Sequence, residues 1–337
     1  MADGGEGTTD ALKEALNAKT YTIPVHDPLH RNIEASYALS QDNQVAIIEM
    51  AASSGLDLLT DEERNPLITS TYGVGEIILD ALDHHVTKII LGIGGSATND
   101  GGSGMLCALG AQFLDSKNQP LKLGGGYLSE LAKIDFSNLD QRLKHVTFEV
   151  ACDVTNPLLG ANGATEIYGP QKGADAKMIP KLDSALTTYH DMIERELNVS
   201  VKDIPGAGAA GGLGAGILAF FNASLSNGID IILKEIDFSR RVQDADLVIT
   251  GEGKMDAQTV FGKTPIGVAK AAKEHHVPVI AICGSLAEGY QDVYKHGIDS
   301  AFSLIEQPES LPSLLNNAKR NMTHTAENIA RLFKLTI

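Results

Sequence analysis

Val86–Asp115 reads VTKIILGIGGSATNDGGSGMLCALGAQFLD. Lys88–Ile93 is a short apolar run of strand length. From Gly92 to Gly104 the chain places six glycines among Ser96, Thr98, Asn99, Asp100 and Ser103. Met105–Phe113 then resumes with apolar spacing suited to a helix, or to a helix leading into another strand. The stretch predicts a buried strand, a glycine-rich turn and a helix start. Glycines allow sharp turns and leave room for a ligand beside the main chain. Successive N–H groups at such a turn, next to a helix start, form a cradle for an anion. Hydroxyls, an amide and a carboxylate in one loop suit a phosphate, or a hydroxy acid together with a metal ion.

The same grammar returns near the C-terminus. Asp246–Thr250 predicts a strand and Gly251–Asp256 a turn. A helix opens at Phe261-Gly262-Lys263-Thr264-Pro265 and runs to about Glu274. Val277–Cys283 and Ile298–Leu304 predict further strands, and apolar spacing from Leu311 to Phe333 predicts a closing helix. Strands alternating with helices imply a parallel α/β sheet with ligand loops at its strand ends.

Working back toward the N-terminus, Asp3-Gly4-Gly5-Glu6-Gly7 is a glycine turn with two carboxylates, ahead of a helix capped by Thr8. Strands are expected at 20–28, 37–39, 44–50 and 145–153, and a helix over 70–84 with His84 and His85 as its polar end. Leu182, Leu186, Tyr189, Ile193 and Leu197 mark an amphipathic helix. Leu158–Gly173 is a glycine- and proline-marked loop ending in Gln171-Lys172-Gly173. Pro205–Phe220, with six glycines, serves either a ligand or close helix packing. A short strand or helix is expected over 227–236.

The 337 residues suggest two domains. A net charge of −16 argues against nucleic acid and anionic membranes as partners, so any phosphate site must be made locally. Cys107, Cys152 and Cys283 lie far apart in apolar runs, as in a reducing compartment. No run reaches transmembrane length and the N-terminus does not resemble a signal peptide, so a cytoplasmic location is expected. Oligomeric state stays open, and self-association is compatible with the sequence.

Two fingerprints nearly fit. Gly92–Ala97 matches a loose G-x-G-x-x-[GA] dinucleotide site, with Asp115 at a suitable distance for a ribose. That fold needs its helix at the third position, where Asn99–Gly104 intervenes. Gly262-Lys263-Thr264 resembles the end of a P-loop, but Ala257 stands where its first glycine belongs. What remains is a set of carboxylates on glycine turns: Asp3, Glu6, Asp100, Asp153, Glu252 and Asp256. Such groups hold Mg²⁺ or take a proton from a hydroxyl. Lys254 and Lys263 could balance phosphate charge.

These runs resemble the type I glycerate kinase family. LGIGGSATNDGGSGMLCALG (Leu91–Gly110) and LVITGEGKMDAQTVFGKTPIGVA (Leu247–Ala269) are similar to its two most distinctive motifs. ADGGEGT (Ala2–Thr8), DVTNPLLG (Asp153–Gly160) and GAGAAGGLG (Gly206–Gly214) resemble further segments, in the family's order. The resemblance implies ATP-dependent phosphorylation of D-glycerate with Mg²⁺. It also implies two α/β domains. One is flavodoxin-like, with a parallel sheet built from both chain ends (1–40 and 241–337); the other is an inserted mixed α/β domain (41–240). Family members usually begin with a further strand and an APDSFKG-like loop; neither precedes Met1 here, so the split domain is expected to lack its first strand.

The chemistry of these motifs makes Asp100 and Asp153 the candidate catalytic residues. Asp3, Glu6, Gly94, Gly95, Ser96, Thr98, Asn99, Gly101, Gly251, Glu252, Gly253, Lys254 and Lys263 would bind glycerate or nucleotide, and Asp256 the metal. Two alternatives stay open: an NAD(P)-dependent oxidoreductase built on Gly92–Ala97, and an inactive ligand-binding remnant. Whether the 2- or the 3-hydroxyl is phosphorylated is not readable from the residues.

Overall fold

The computed structural model describes residues 8–260 and 263–334. The chain divides into two compact units at Ile231/Ile232.

The N-terminal unit is built on a six-stranded sheet. After helix α1 (Thr8–Ala15) come strands β1 (Lys19–His26), β2 (Asn32–Leu39), β3 (Val45–Glu49), β4 (Lys88–Gly92), β5 (Thr147–Ala151) and β6 (Asn222–Ser226). They lie side by side in chain order. The first three pair antiparallel, and β3 to β6 run parallel. The register pairs Gly92 with Glu49 and with Ala151, and Ala151 with Ser226, so these four C-terminal ends share one edge. Strand β4 is the deepest: Ile89, Ile90 and Leu91 are buried on both faces, as a central parallel strand requires.

Helices cover the sheet. In α2 (Tyr72–Asp83) Val74, Ile77, Ile78, Ala81 and Leu82 form the expected apolar face and are buried, and His84 and His85 end the helix. α3 (Ser103–Ala108) follows the glycine loop, and Gln112–Leu114 returns as a strand. α4 (Met178–Leu197) buries Leu182, Leu186, Tyr189 and Ile193 as its spacing predicts. α5 (Ala209–Phe220) starts with non-helical backbone at Ala210, Gly211 and Gly212.

The resemblance implies that residues 1–40, and with them 19–39, belong with the C-terminal region. Their backbone pairs instead with β3, through Ala38↔Ile47 and Leu39↔Ala46. The buried face of β2 (Ala35, Tyr37, Leu39) joins the core of β3 and β4. Strand β6 was not anticipated, because NASLS is polar and half-exposed.

The C-terminal unit has a parallel sheet of β7 (Val248–Thr250), β8 (Val279–Cys283) and β9 (Ser300–Ser303), in the order β9-β8-β7. Helix α6 (Thr264–Lys273) connects β7 to β8, and α7 (Leu311–Phe333) follows β9. Val279, Ala281, Cys283, Ile266, Ala269 and Ala272 form its core. The α/β class and the parallel strands expected here are present. Among the described residues no helix is long and apolar enough to cross a membrane.

Candidate functional site

In the N-terminal unit the glycine loop leaves the C-terminal end of β4, the edge where ligands bind in open α/β sheets. Two layers form. The rear layer is structural. Asp100 is fully buried. Its Oδ2 accepts hydrogen bonds from Thr71 N (2.9 Å), Thr71 Oγ1 (2.9 Å) and Gly104 N (3.2 Å), and its Oδ1 from Gly102 N (3.1 Å). Burial pushes its carboxyl above the usual range, against the pull of these donors. Asp100 therefore folds the loop, and it lines neither cavity of this unit described below, where a base or metal ligand is expected. Gly101 lies beside it, packed on Tyr189, and its N–H donates to Gly211 O (3.0 Å). Asn99 Nδ2 donates to Thr165 Oγ1 (3.0 Å).

The segment 206–214 closes the rear layer. A Cβ at Gly211 would lie 2.1 Å from Thr98 O, at φ +66°. Only glycine lets the two main chains meet there. Close packing thus explains these glycines, while Ala209 and Ala210 also reach the cavity wall.

The front layer lines a cavity of about 390 Å³, bordered by Gly94, Gly95, Ser96, Asp153, Tyr168 and Lys172 among others. Gly94 and Gly95 present main chain to it. Asp153 follows β5, is exposed, and accepts a hydrogen bond from Gly228 N (3.0 Å). Of the two expected catalytic carboxylates, the structure brings Asp153 to the cavity and leaves Asp100 behind it. Gly94, Gly95 and Ser96 come to the front; Thr98, Asn99 and Gly101 do not line it. A smaller adjoining cavity, about 230 Å³, shares Gly94 and Gly95 and is bordered by Glu49 and Asp57. Glu49 Oε1 is buried with no hydrogen-bond partner among the described residues.

Lys172 was not singled out from the sequence. It is 1% exposed. Its Nζ donates to Ser96 Oγ (2.8 Å) and to Thr98 O (2.7 Å). Burial lowers it to about 7, although the Asp100 charge pulls the other way. One 3-10 turn, Pro170–Lys172, aims it inward, and Gly173 ends that turn at φ +92° with Arg64 O against the space a Cβ would take. The available signal was a lysine closing a glycine- and proline-marked loop.

The C-terminal unit holds a third cavity, about 770 Å³, at the end of β7. Gly251, Glu252, Gly253, Thr264 and Ser285 form its polar part; Ile249, Leu304, Leu311 and Leu315 are among its apolar walls. The turn is fixed by Gly284 N to Glu252 O (3.0 Å) and Ser285 N to Gly253 O (3.0 Å). Glu252 Oε1 accepts from Thr259 Oγ1 (2.6 Å). Lys263 is half-buried at the N-terminal end of α6, a ten-residue helix with Pro265 in its first turn. Such a helix start favours an anion.

Asp256, the expected metal ligand, is committed elsewhere. Its Oδ2 pairs with Lys254 Nζ (2.9 Å) and its Oδ1 accepts from Gln258 N (2.9 Å). The Lys254 ammonium holds its carboxyl below the ordinary range. Among the described residues, the one group of three metal-capable side chains is His190, Asp191 and Glu194 on α4. There His190 Nε2 already accepts from Val201 N and Lys202 N (3.2 Å each). Asp3 and Glu6 lie outside the described residues.

Against the dinucleotide alternative, α3 begins only at Ser103, well past Gly94 and Gly95, so no helix N-terminus meets the third position of that motif.

Comparison with known proteins agrees along the whole length. The description "Glycerate kinase family" matches residues 1–334. A glycerate kinase of Halalkalibacterium halodurans is 53% identical over 98% of this chain and 87% of that protein. A glycerate 2-kinase of Escherichia coli K12 is 49% identical, again over 98% of this chain and 87% of that protein. A Salmonella typhimurium LT2 crystal structure, assigned to glycerate kinase 2, superposes with TM-score 0.90 at 48% identity, covering 100% of this chain and 88% of that one.

Proposed function

The chain belongs to the glycerate kinase family, and on that premise we propose how its two glycine-lined cavities divide the reaction. The enzyme phosphorylates glycerate, with ATP as the phosphate donor; an oxidoreductase is not favoured. The acceptor is assigned as D-glycerate, as the resemblance implies. The 2-hydroxyl is the assigned position, a choice supported by the name of the E. coli relative, glycerate 2-kinase.

Glycerate occupies the cavity at the ends of β4 and β5. The carrying observation is that Asp153, Ser96 and the glycine main chain of 94–95 converge on one pocket large enough for a three-carbon acid. Asp153 accepts the hydroxyl proton as the oxygen attacks the γ-phosphorus and the bond to the β–γ bridging oxygen breaks, releasing ADP; a placed base is worth roughly 10²–10⁴-fold. The remaining acceleration comes from positioning and charge neutralisation.

ATP binds the C-terminal unit. Its phosphates meet Gly251–Gly253, Lys263 and Thr264, where the turn and the start of α6 favour negative charge. The apolar walls suit a nucleobase. Mg²⁺ is assigned as a companion of ATP. The Asp256 carboxylate is paired with the exposed Lys254 ammonium, which the ion would have to displace to be held there. A cytoplasmic location is proposed on the three free cysteines and the acidic composition.

The test is ADP release dependent on D-glycerate, with the product identified by ³¹P NMR. Phosphate at C2 supports the assignment, and phosphate at C3 refutes it.

A further inference from the structure

We propose that Lys172 is the residue that grips the carboxylate of glycerate. The inference rests on the glycerate cavity assigned above and adds the group that recognises the acid. Lys172 lines the cavity with 1% of the residue exposed. Both of its partners, Ser96 Oγ and Thr98 O, are neutral. An ammonium has three N–H donors, so one is left for a ligand.

A buried charge is retained at high cost unless an opposite charge meets it. No carboxylate of the described residues lies within ion-pair distance of Lys172. Asp100 acts on it electrostatically from beyond hydrogen-bond distance, its own oxygens being bound by Thr71, Gly102 and Gly104. Among the described residues no carboxylate pairs with Lys172, and a bound acid would supply that partner. Glycerate supplies one, and the cavity in front of Lys172 has room for it.

The other titratable groups along that wall are Asp153, Tyr168 and Cys152. Burial raises both Tyr168 and Cys152, which keeps them neutral. Without a ligand Lys172 titrates near neutrality, at about 7. A bound carboxylate stabilises its protonated form, so glycerate binding takes up a proton.

The experiment compares glycerate with its carboxamide, glyceramide, on wild type and on Lys172→Met. Wild type is expected to prefer glycerate by roughly 100-fold or more in kcat/KM, and Lys172→Met by less than about fivefold, because both changes delete one charge–charge contact. An equal preference in both proteins overturns the proposal. So does a rise confined to the ATP KM, which would make the donor's phosphate the anion held.

If Lys172→Met does not fold, wild type alone decides. Its glycerate KM should climb about tenfold per pH unit above neutrality while the glyceramide KM stays flat; parallel pH profiles overturn the proposal. Asp153→Asn, run beside these, separates the two readings. Unaltered turnover in Asp153→Asn removes the cavity assignment. Lost turnover in Asp153→Asn, with Lys172→Met unchanged in glycerate preference, removes only the role of Lys172.

Discussion

The ammonium of Lys172 is held 2.8 Å from the hydroxyl of Ser96, two residues into the loop that leaves Gly94. A side chain from a distant loop is thus locked beneath the glycine turn that opens the cavity. The contact orients Ser96 and buries a cation against neutral oxygens.

That burial should be visible in stability. Lys172 sits at about 7 when folded, below the ordinary 10.5 of the unfolded chain. Below pH 7 both states are charged and the desolvation penalty is fully felt. Between about 7 and 10.5 the unfolded chain binds more protons, so this group's contribution to stability improves as pH rises. Lys172→Met should be more stable than wild type at pH 6, by on the order of a few kcal/mol, with the gap closing by pH 10. Urea unfolding without substrate at both pH values checks the sign; a gap that widens with pH contradicts it.

Asp100 should behave as a fold residue. Asp100→Ala strands the donors of Thr71, Gly102 and Gly104 in a dry interior. The expected loss is about 2–4 kcal/mol of unfolding free energy. Asp153→Asn, at an exposed position, should change stability by less than about 0.5 kcal/mol. Chemical denaturation of the two variants side by side distinguishes a loop former from a cavity residue.

Two glycines give a matched contrast. Gly211→Ala drives a methyl into Thr98 O at positive φ and should cost about 3 kcal/mol or prevent folding. A Cβ at Gly253 meets nothing within 4 Å. Gly253→Ala should therefore fold normally and raise the ATP KM, since the nucleotide is assigned to that turn. Thermal melts and ATP titrations read both outcomes.

Metal dependence tests the position of Asp256. With its carboxylate paired to Lys254, Asp256→Asn should leave the Mg²⁺ concentration for half-maximal rate within about twofold, as for a residue that is not a ligand. A shift beyond about tenfold would restore it as a metal ligand.

Much of this architecture is legible in the residues themselves. The apolar run Lys88–Gly92 and the glycines after it announce a strand and a ligand turn, and α2 and α4 follow directly from their 3.6-residue spacing. Site chemistry is harder to read, because glycine-loop residues look alike along the chain. Asp100 and Asp153 both follow strands on polar turns, and only packing shows that one faces inward to N–H donors and the other outward. Lys172 lies 76 residues from Ser96, so no local pattern signals their contact. The pairing of β2 with β3 likewise depends on sheet register, which alternation alone does not choose.

The most direct measurement is ADP release with D-glycerate for wild type and Asp153→Asn, at matched folded fractions. Glycerate-dependent turnover in wild type, reduced at least about 100-fold by the substitution, is the expected result. Equal turnover in the two proteins would show that the cavity beyond β4 and β5 is not where glycerate reacts.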